Sequence, residues 1–331
     1  MAIIGVHSLT YRVGDVEECT RFFEDFGLPL IERSPDRGVF QMPEGSMVTI
    51  RHRDDPSLPK SALVGDGVCE VVWGLDTADA LEKLVAGIGG EVDVRRNADG
   101  SAAFVTPFGI AMGLAVYPRR PVVYAPDPLN APGSVNRLNQ HRKWRERARP
   151  KLINHVVFAI PEYEEAALFM RRHLGFRMTD NQRSFGMYLR ADGCNNHHSL
   201  FLINASAPFP GLDGQTRFHH VNFGVEDLDE IMLGANHMVR KGWHPSHLGL
   251  GRHRIDSALF YYLPCPAGGE AEYGADSDYV DDNWIPREWL EPLFGFTHFV
   301  HNLPPFLHVP PEWKFRYLTE EAQLVQSGDT P

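Results

Sequence analysis

The chain carries His155-Val-Val-Phe and His220-Val-Asn-Phe and, further on, Pro266-Ala-Gly268-Gly-Glu-Ala-Glu272-Tyr273. Each histidine opens an apolar, β-branched run that reads as a strand, and Glu272 lies at the end of another. All three side chains can therefore point from a sheet face toward one centre. Two neutral imidazoles and one carboxylate on one side of an ion leave about three coordination positions open. That donor set suits non-haem iron(II) and its oxygen chemistry, with manganese(II) as the other ion it accepts. His219 competes with His220 for the role. Aligning the two His-Val-x-Phe runs selects His220, because a one-residue shift in a strand turns the side chain to the opposite face.

Positioning such residues is the work of a repeat. His7 opens a strand-like run, an acidic amphipathic stretch follows from Asp15 to Phe26, and Gly27 stands twenty residues after His7. His155, the stretch from Glu162 to Leu174 and Gly175 reproduce the pattern at the same spacing. A second kind of unit starts at Glu70-Val-Val-Trp and again at His220-Val-Asn-Phe, followed by helix-start signals at Asp76-Thr-Ala-Asp and Glu226-Asp-Leu-Asp. Polar turns such as Asn97 to Gly100 and Ala191 to Gly193 separate short strands. The fold class is α+β, with four βαβββ units paired into two domains over residues 1–118 and 151–280. Residues 119–150 read as a linker, rich in proline at first and then basic with helical character. Residues 281–331 form an aromatic tail, too apolar to be free in solvent, which is expected to pack on or near the mouth of the site, with disorder from about Gln326.

With 331 residues, 43% apolar, the chain can build two cored domains. Its net charge of −11 argues against a nucleic-acid surface. Four dispersed cysteines without a C-x-x-C pattern fit a reduced compartment rather than a disulfide framework. The sequence shows neither a signal-peptide pattern nor a membrane-length apolar run, so the reading is a soluble cytoplasmic protein acting on a small molecule, with no membrane partner.

Gly251-Arg-His253, Tyr262, Pro266-Ala-Gly268 and Glu272 together make residues 5 to 275 resemble the vicinal oxygen chelate superfamily, which has a glyoxalase-like fold. Within it the chain is similar to the two-domain type I extradiol ring-cleaving dioxygenases, such as catechol 2,3-dioxygenase and dihydroxybiphenyl dioxygenase. It departs from their pattern at Cys265, where aspartate is usual, and at Tyr261, where an aliphatic residue or Phe is usual. Neither position is a metal ligand in the family. In the first half the pattern has decayed: Pro107-Phe-Gly109 matches Pro266-Ala-Gly268, but Gly113 stands where Glu272 does and Glu70 where His220 does. The resemblance implies a metal-free first domain and a catalytic second one.

The resemblance further implies that iron(II), or manganese(II), is held by His155, His220 and Glu272, and that a catechol-like aromatic and dioxygen react there. The ring is cleaved beside the diol and both oxygen atoms are incorporated. His198 matches the family's acid–base residue, and an imidazole titrating near neutrality can both take and return a proton. His253 matches a histidine that hydrogen-bonds the catecholate, and Tyr262 a tyrosine that holds the deprotonated oxygen. His197 is then expected to face solvent, His7 to be a relic, and His244 and His247 to be loop residues. A homo-oligomer is expected. The competing readings are a metal-containing small-molecule binding or resistance protein of the same superfamily, and a member with another reaction, an isomerase or a hydroxyphenylpyruvate-type dioxygenase. Proton-transfer groups around the metal disfavour a mere binder.

Overall fold

The computed structural model describes residues 2–291, 296–309, 314–319 and 324–326. Four successive segments take one path: strand, helix, three strands. The first is β1 (Ile3–Val13), α1 (Val16–Phe26), β2 (Leu30–Ser34), β3 (Arg37–Gln41) and β4 (Met47–His52); the second is β5 (Gly67–Leu75), α2 (Ala78–Ile88), β6 (Arg95–Arg96), β7 (Ala102–Val105) and β8 (Ala111–Val116). The third is β9 (Leu152–Ile160), α3 (Tyr163–His173), β10 (Arg177–Gln182), β11 (Gly186–Arg190) and β12 (Leu200–Asn204); the fourth is β13 (Arg217–Gly224), α4 (Leu228–Arg240), β14 (Gly251–Arg252), β15 (Leu259–Pro264) and β16 (Glu270–Ala275). The helices start where the acidic signals place them. The side chains of Asp15, Thr77 and Asp227 accept from the backbone N–H three residues on, capping α1, α2 and α4.

Within each unit the helix returns the chain so that the first strand lies parallel to the fourth, as β1 does to β4 and β9 to β12. The first strands of paired units then run antiparallel, β1 against β5 and β9 against β13. The result is one sheet per half, ordered β2-β3-β4-β1-β5-β8-β7-β6 and, in the second half, β14-β15-β16-β13-β9-β12-β11-β10 at its centre. The two halves keep one register. Val72 pairs with Gly113 where Asn222 pairs with Glu272, which places Gly113 at the position of the carboxylate.

Buried apolar side chains of both halves form one continuous cluster. Phe26 of α1 stacks on Tyr273 of β16 at 4.0 Å, and the Tyr273 hydroxyl donates to the Phe26 carbonyl at 2.7 Å. Burying each such aromatic contributes ~1.5–3 kcal/mol. Gly268 sits where the halves meet, at φ +98° in the turn before β16, and a Cβ there would lie 2.1 Å from the Asp66 carbonyl oxygen.

The segment between the halves contains no helix, contrary to the helical character read from its basic end. Its cations find partners elsewhere: Arg142, Lys143 and Arg145 pair with Glu226, Asp227 and Asp229 at the start of α4. Asp227 caps α4, and together with Glu226 and Asp229 it attracts the arm, an interaction with another element that replaces pairing along a helix of its own. After β16 the chain adds β17 (Arg287–Trp289) parallel to β10 and β18 (Phe299–Val300) against β14, so it covers both edges of the second sheet. A short 3-10 turn (Pro305–Leu307) and strands β19 (Lys314–Tyr317) and β20 (Leu324–Gln326) follow. The disorder expected from about Gln326 concerns residues 327–331, outside the described residues. Among the described residues no helix is long and apolar enough to cross a membrane.

Candidate metal centre

Six of the residues singled out by the sequence come from consecutive positions across one curved sheet. In order they are His253 beside β14, Tyr262 on β15, Glu272 on β16, His220 on β13, His155 on β9 and His198 leading into β12. His155, His220 and Glu272 stand on three neighbouring strands. The Nε2 atoms of the two histidines are 3.3 Å apart, and each lies 3.4 Å from Glu272 Oε2. Glu272 has no solvent exposure, and neither of its carboxylate oxygens has a hydrogen-bond partner. Leaving a buried carboxylate without donors is costly unless something else compensates it. An ion between two imidazoles and a carboxylate does so, and the donor set fits a divalent transition metal.

His219 belongs to this centre in another way. A bulge between Phe218 and His220 sets it out of the ladder, and its Nδ1 lies 2.7 Å from Nδ1 of His220. Burial pushes the His219 imidazole down to about 4, so it is neutral at physiological pH and can accept. A proton on His220 Nδ1 pointing at His219 leaves Nε2 as the lone pair, which is the tautomer metal ligation requires. Burial likewise pushes His220 well below the imidazole range. For Glu272 burial pulls upward, but the facing imidazoles of His155 and His253 outweigh it, holding the carboxyl below its usual range.

On one flank His198 lies ring to ring with His155, 4.1 Å between centroids. Burial first, then the neighbouring His155, His197, His220 and His253, drive its imidazole well below 6.5. Near-neutral titration is therefore replaced by a group kept uncharged. On the other flank His253 Nε2 is 3.0 Å from the Tyr262 hydroxyl. Its Nδ1 hydrogen-bonds the Phe296 carbonyl, a pure acceptor, so Nδ1 carries a proton. Burial lowers the His253 pKa, but Glu272, Asp256 and that carbonyl together raise it above the ordinary value. Tyr262 is pushed well above 10 by burial and then by Glu272, and stays a neutral hydroxyl.

His155, His198, His219, His220, His253 and Tyr262 line a 140 Å³ cavity walled by Phe185, Tyr188, Phe201, Phe209 and Phe296. A larger cleft of 720 Å³ also reaches His155 and His198, but its walls are the 124–129 segment and several aspartates, without His220, His253 or Tyr262. The smaller cavity is the one surrounded by the reactive groups. Two residues that periodicity could not reveal line it: Asp256, 3.8 Å from His198 Nδ1, and Phe296, which arrives from the tail. Trp289, also from the tail, joins the buried cluster of Phe185, Tyr188 and Phe201. His197 corrects the expectation of a solvent-facing residue: it is 1% exposed and its Nε2 lies 2.6 Å from Asp180 Oδ2. His197 turns inward to meet the buried Asp180 carboxylate. His244 and His247 lie in an exposed loop, Arg252 pairs with Asp276 at 2.9 Å, and His7 meets Ser8 and Tyr117.

Paired βαβββ units with a two-histidine, one-carboxylate cluster inside the second sheet define a protein of vicinal-oxygen-chelate architecture. Residues 152–262 match the Glyoxalase/Bleomycin resistance protein/Dioxygenase superfamily. The chain is similar to "Metapyrocatechase 2" of Cupriavidus necator, 29% identical over 207 residues, covering 62% of each chain. It is also similar to the "Iron-dependent extradiol dioxygenase" of Rhodococcus jostii, 34% identical over 149 residues, covering 41% of this chain and 47% of that one. The chain thus spans less than two thirds of the length of either relative. Among solved structures, the Mn(II)-bound glyoxalase from Novosphingobium aromaticivorans superposes with a TM-score of 0.70, at 19% identity over 94% of this chain and 96% of that one. At that identity the likeness shows the fold alone.

Proposed function

We propose that this protein is an iron(II)-dependent extradiol dioxygenase, cleaving the ring of a catechol-type aromatic next to the vicinal diol with incorporation of both atoms of O2. The observation that carries the reading is the donorless, fully buried Glu272 carboxylate, 3.4 Å from the Nε2 atoms of His155 and His220, two imidazoles that line a cavity together with His198, His253 and Tyr262. The names of the two relatives support it. Iron(II) held by His155, His220 and Glu272 would supply the coordination sites where diol and dioxygen meet and the path for electrons between them.

The protein's own groups handle position and protons. Kept neutral by burial and by its histidine neighbours, His198 is a proton acceptor poised to take a hydroxyl proton from the diol and return it later. His253, its Nδ1 proton held by the Phe296 carbonyl, meets the Tyr262 hydroxyl through Nε2 at 3.0 Å, and when Nε2 is also protonated it donates to the Tyr262 oxygen. The Tyr262 hydrogen is then free to stabilise an anionic oxygen of the substrate. Five aromatic walls exclude water and favour a substrate with an apolar substituent on the diol ring. A protein that only sequestered a ligand would need none of these proton-handling groups.

The test is anaerobic loading with iron(II), then exposure to 18O-labelled dioxygen with a panel of substituted catechols. A yellow ring-fission product carrying two labelled atoms is expected. A muconic acid, or tight ligand binding with no product from any vicinal diol, would overturn the reading.

A further inference from the structure

Behind His198 lies a chain of polar side chains that the mechanism above does not use. Asp180, fully buried on β10, accepts from four donors. Arg287 donates through Nε at 2.7 Å and Nη2 at 3.0 Å, Trp289 Nε1 at 2.7 Å and His197 Nε2 at 2.6 Å. His197 Nδ1 in turn lies 3.1 Å from His198 Nδ1. Two ring nitrogens in contact require one proton between them, and the direction can be assigned. An ionised carboxylate only accepts, so the proton on His197 facing Asp180 resides on Nε2. Arg287 already balances the Asp180 charge in a bidentate pair, so His197 is not needed as a second cation. Its Nδ1 is then a lone pair, and the proton in the His197–His198 contact belongs to His198 Nδ1. Asp256, at 3.8 Å, stands beyond hydrogen-bond reach of that atom. Among the described residues Nε2 of His198 makes no hydrogen bond.

We propose that Asp180 and His197 are positioning residues that lock His198 into its Nδ1–H tautomer and present Nε2 as an unprotonated base, and that Arg287 and Trp289 of the tail strand β17 hold Asp180 for this task. The proposal rests on the reading of His198 as the acid–base group. It gives the tail a role in the chemistry: β17 runs parallel to β10, and Arg287 also donates to the Ile255 carbonyl at 2.6 Å, tying the segment before Asp256 to the same anchor. Without this chain the His198 ring could turn over and offer an N–H to the substrate hydroxyl, which cannot accept a proton from it productively.

The test starts with the full-length chain labelled with 15N-histidine, in long-range 1H–15N spectra with and without zinc(II) as a diamagnetic probe. His198 is assigned by the signals lost in His198→Gln. His198 is expected to bear its proton on Nδ1, and His197 on Nε2. His198 protonated at Nε2 in the wild-type protein would overturn the proposal, whatever the variants do. His197→Leu should populate the Nε2–H form of His198 and lower kcat by about 10- to 100-fold, the usual effect of losing such an orienting partner, with KM and metal content unchanged. His197→Gln, whose side-chain carbonyl can accept from Nδ1–H, should restore most of the rate. Equal losses in the Leu and Gln variants, or loss of metal in step with kcat, would make the contact merely structural and defeat the idea. If no catechol is turned over, the ring-cleavage reading fails, and the tautomer measurement still decides the geometry.

Discussion

Replacing Glu272 by glutamine tests the metal centre with little change of shape. The carboxylate is fully buried, and the amide of Gln keeps nearly its shape and can donate to a facing imidazole Nε2, so the metal-free variant should fold. What it loses is the single anionic donor of the set. For the wild-type protein at a metal concentration 100 times Kd, binding to the folded state alone adds about 2.7 kcal/mol. At about 2–4 °C per kcal/mol for domains of this general size, the melting midpoint should rise by ~5–10 °C. If losing the carboxylate weakens binding 100-fold, the same metal concentration adds only ~0.4 kcal/mol, and the midpoint moves by ~1 °C. Anaerobic calorimetry with and without iron(II), with metal content measured after desalting, reads both quantities. A Glu272→Gln protein that retained stoichiometric metal and the full upward shift would refute the assignment, because His155 and His220 alone cannot supply that affinity.

Three further outcomes follow from the same geometry. His198→Gln should keep its metal and bind substrate but lower kcat by roughly 10²- to 10⁴-fold, and normal turnover on all substrates would return His198 to the role of a turn residue. Metal retention should persist as pH falls through the ordinary imidazole range near 6.5, because burial keeps His220 uncharged and Glu272 is held below the carboxylate range by His155 and His253, so both stay deprotonated and competent to bind; a release midpoint above about 6.5 in a pH titration would contradict this. Gly268→Ala should destabilise the protein by more than ~1 kcal/mol in urea unfolding, since φ +98° and the Asp66 carbonyl 2.1 Å from the added Cβ leave it no relaxed position, and an unchanged midpoint would show that the turn can shift.

What the sequence determined by itself was whatever repeats. Strand alternation and equal spacing from His7 to Gly27 and from His155 to Gly175 set four equivalent units. Equivalence of position then set Gly113 against Glu272, a match that the ladders reproduce. Such features rest on local periodicity, which is written in neighbouring residues. The tertiary structure decided what depends on residues far apart in the chain. Asp180 meets Trp289 and Arg287 more than a hundred positions away, and only that meeting turns His197 inward. Phe296 reaches His253 from the tail, and the bulge at His219 lets one histidine orient the next. The basic segment before Lys151 likewise became an arm instead of a helix, because the acids that neutralise it sit at the start of α4. No period links these partners. Their contacts are fixed by how the sheet curves and where the tail returns, and that is settled only once the core has closed.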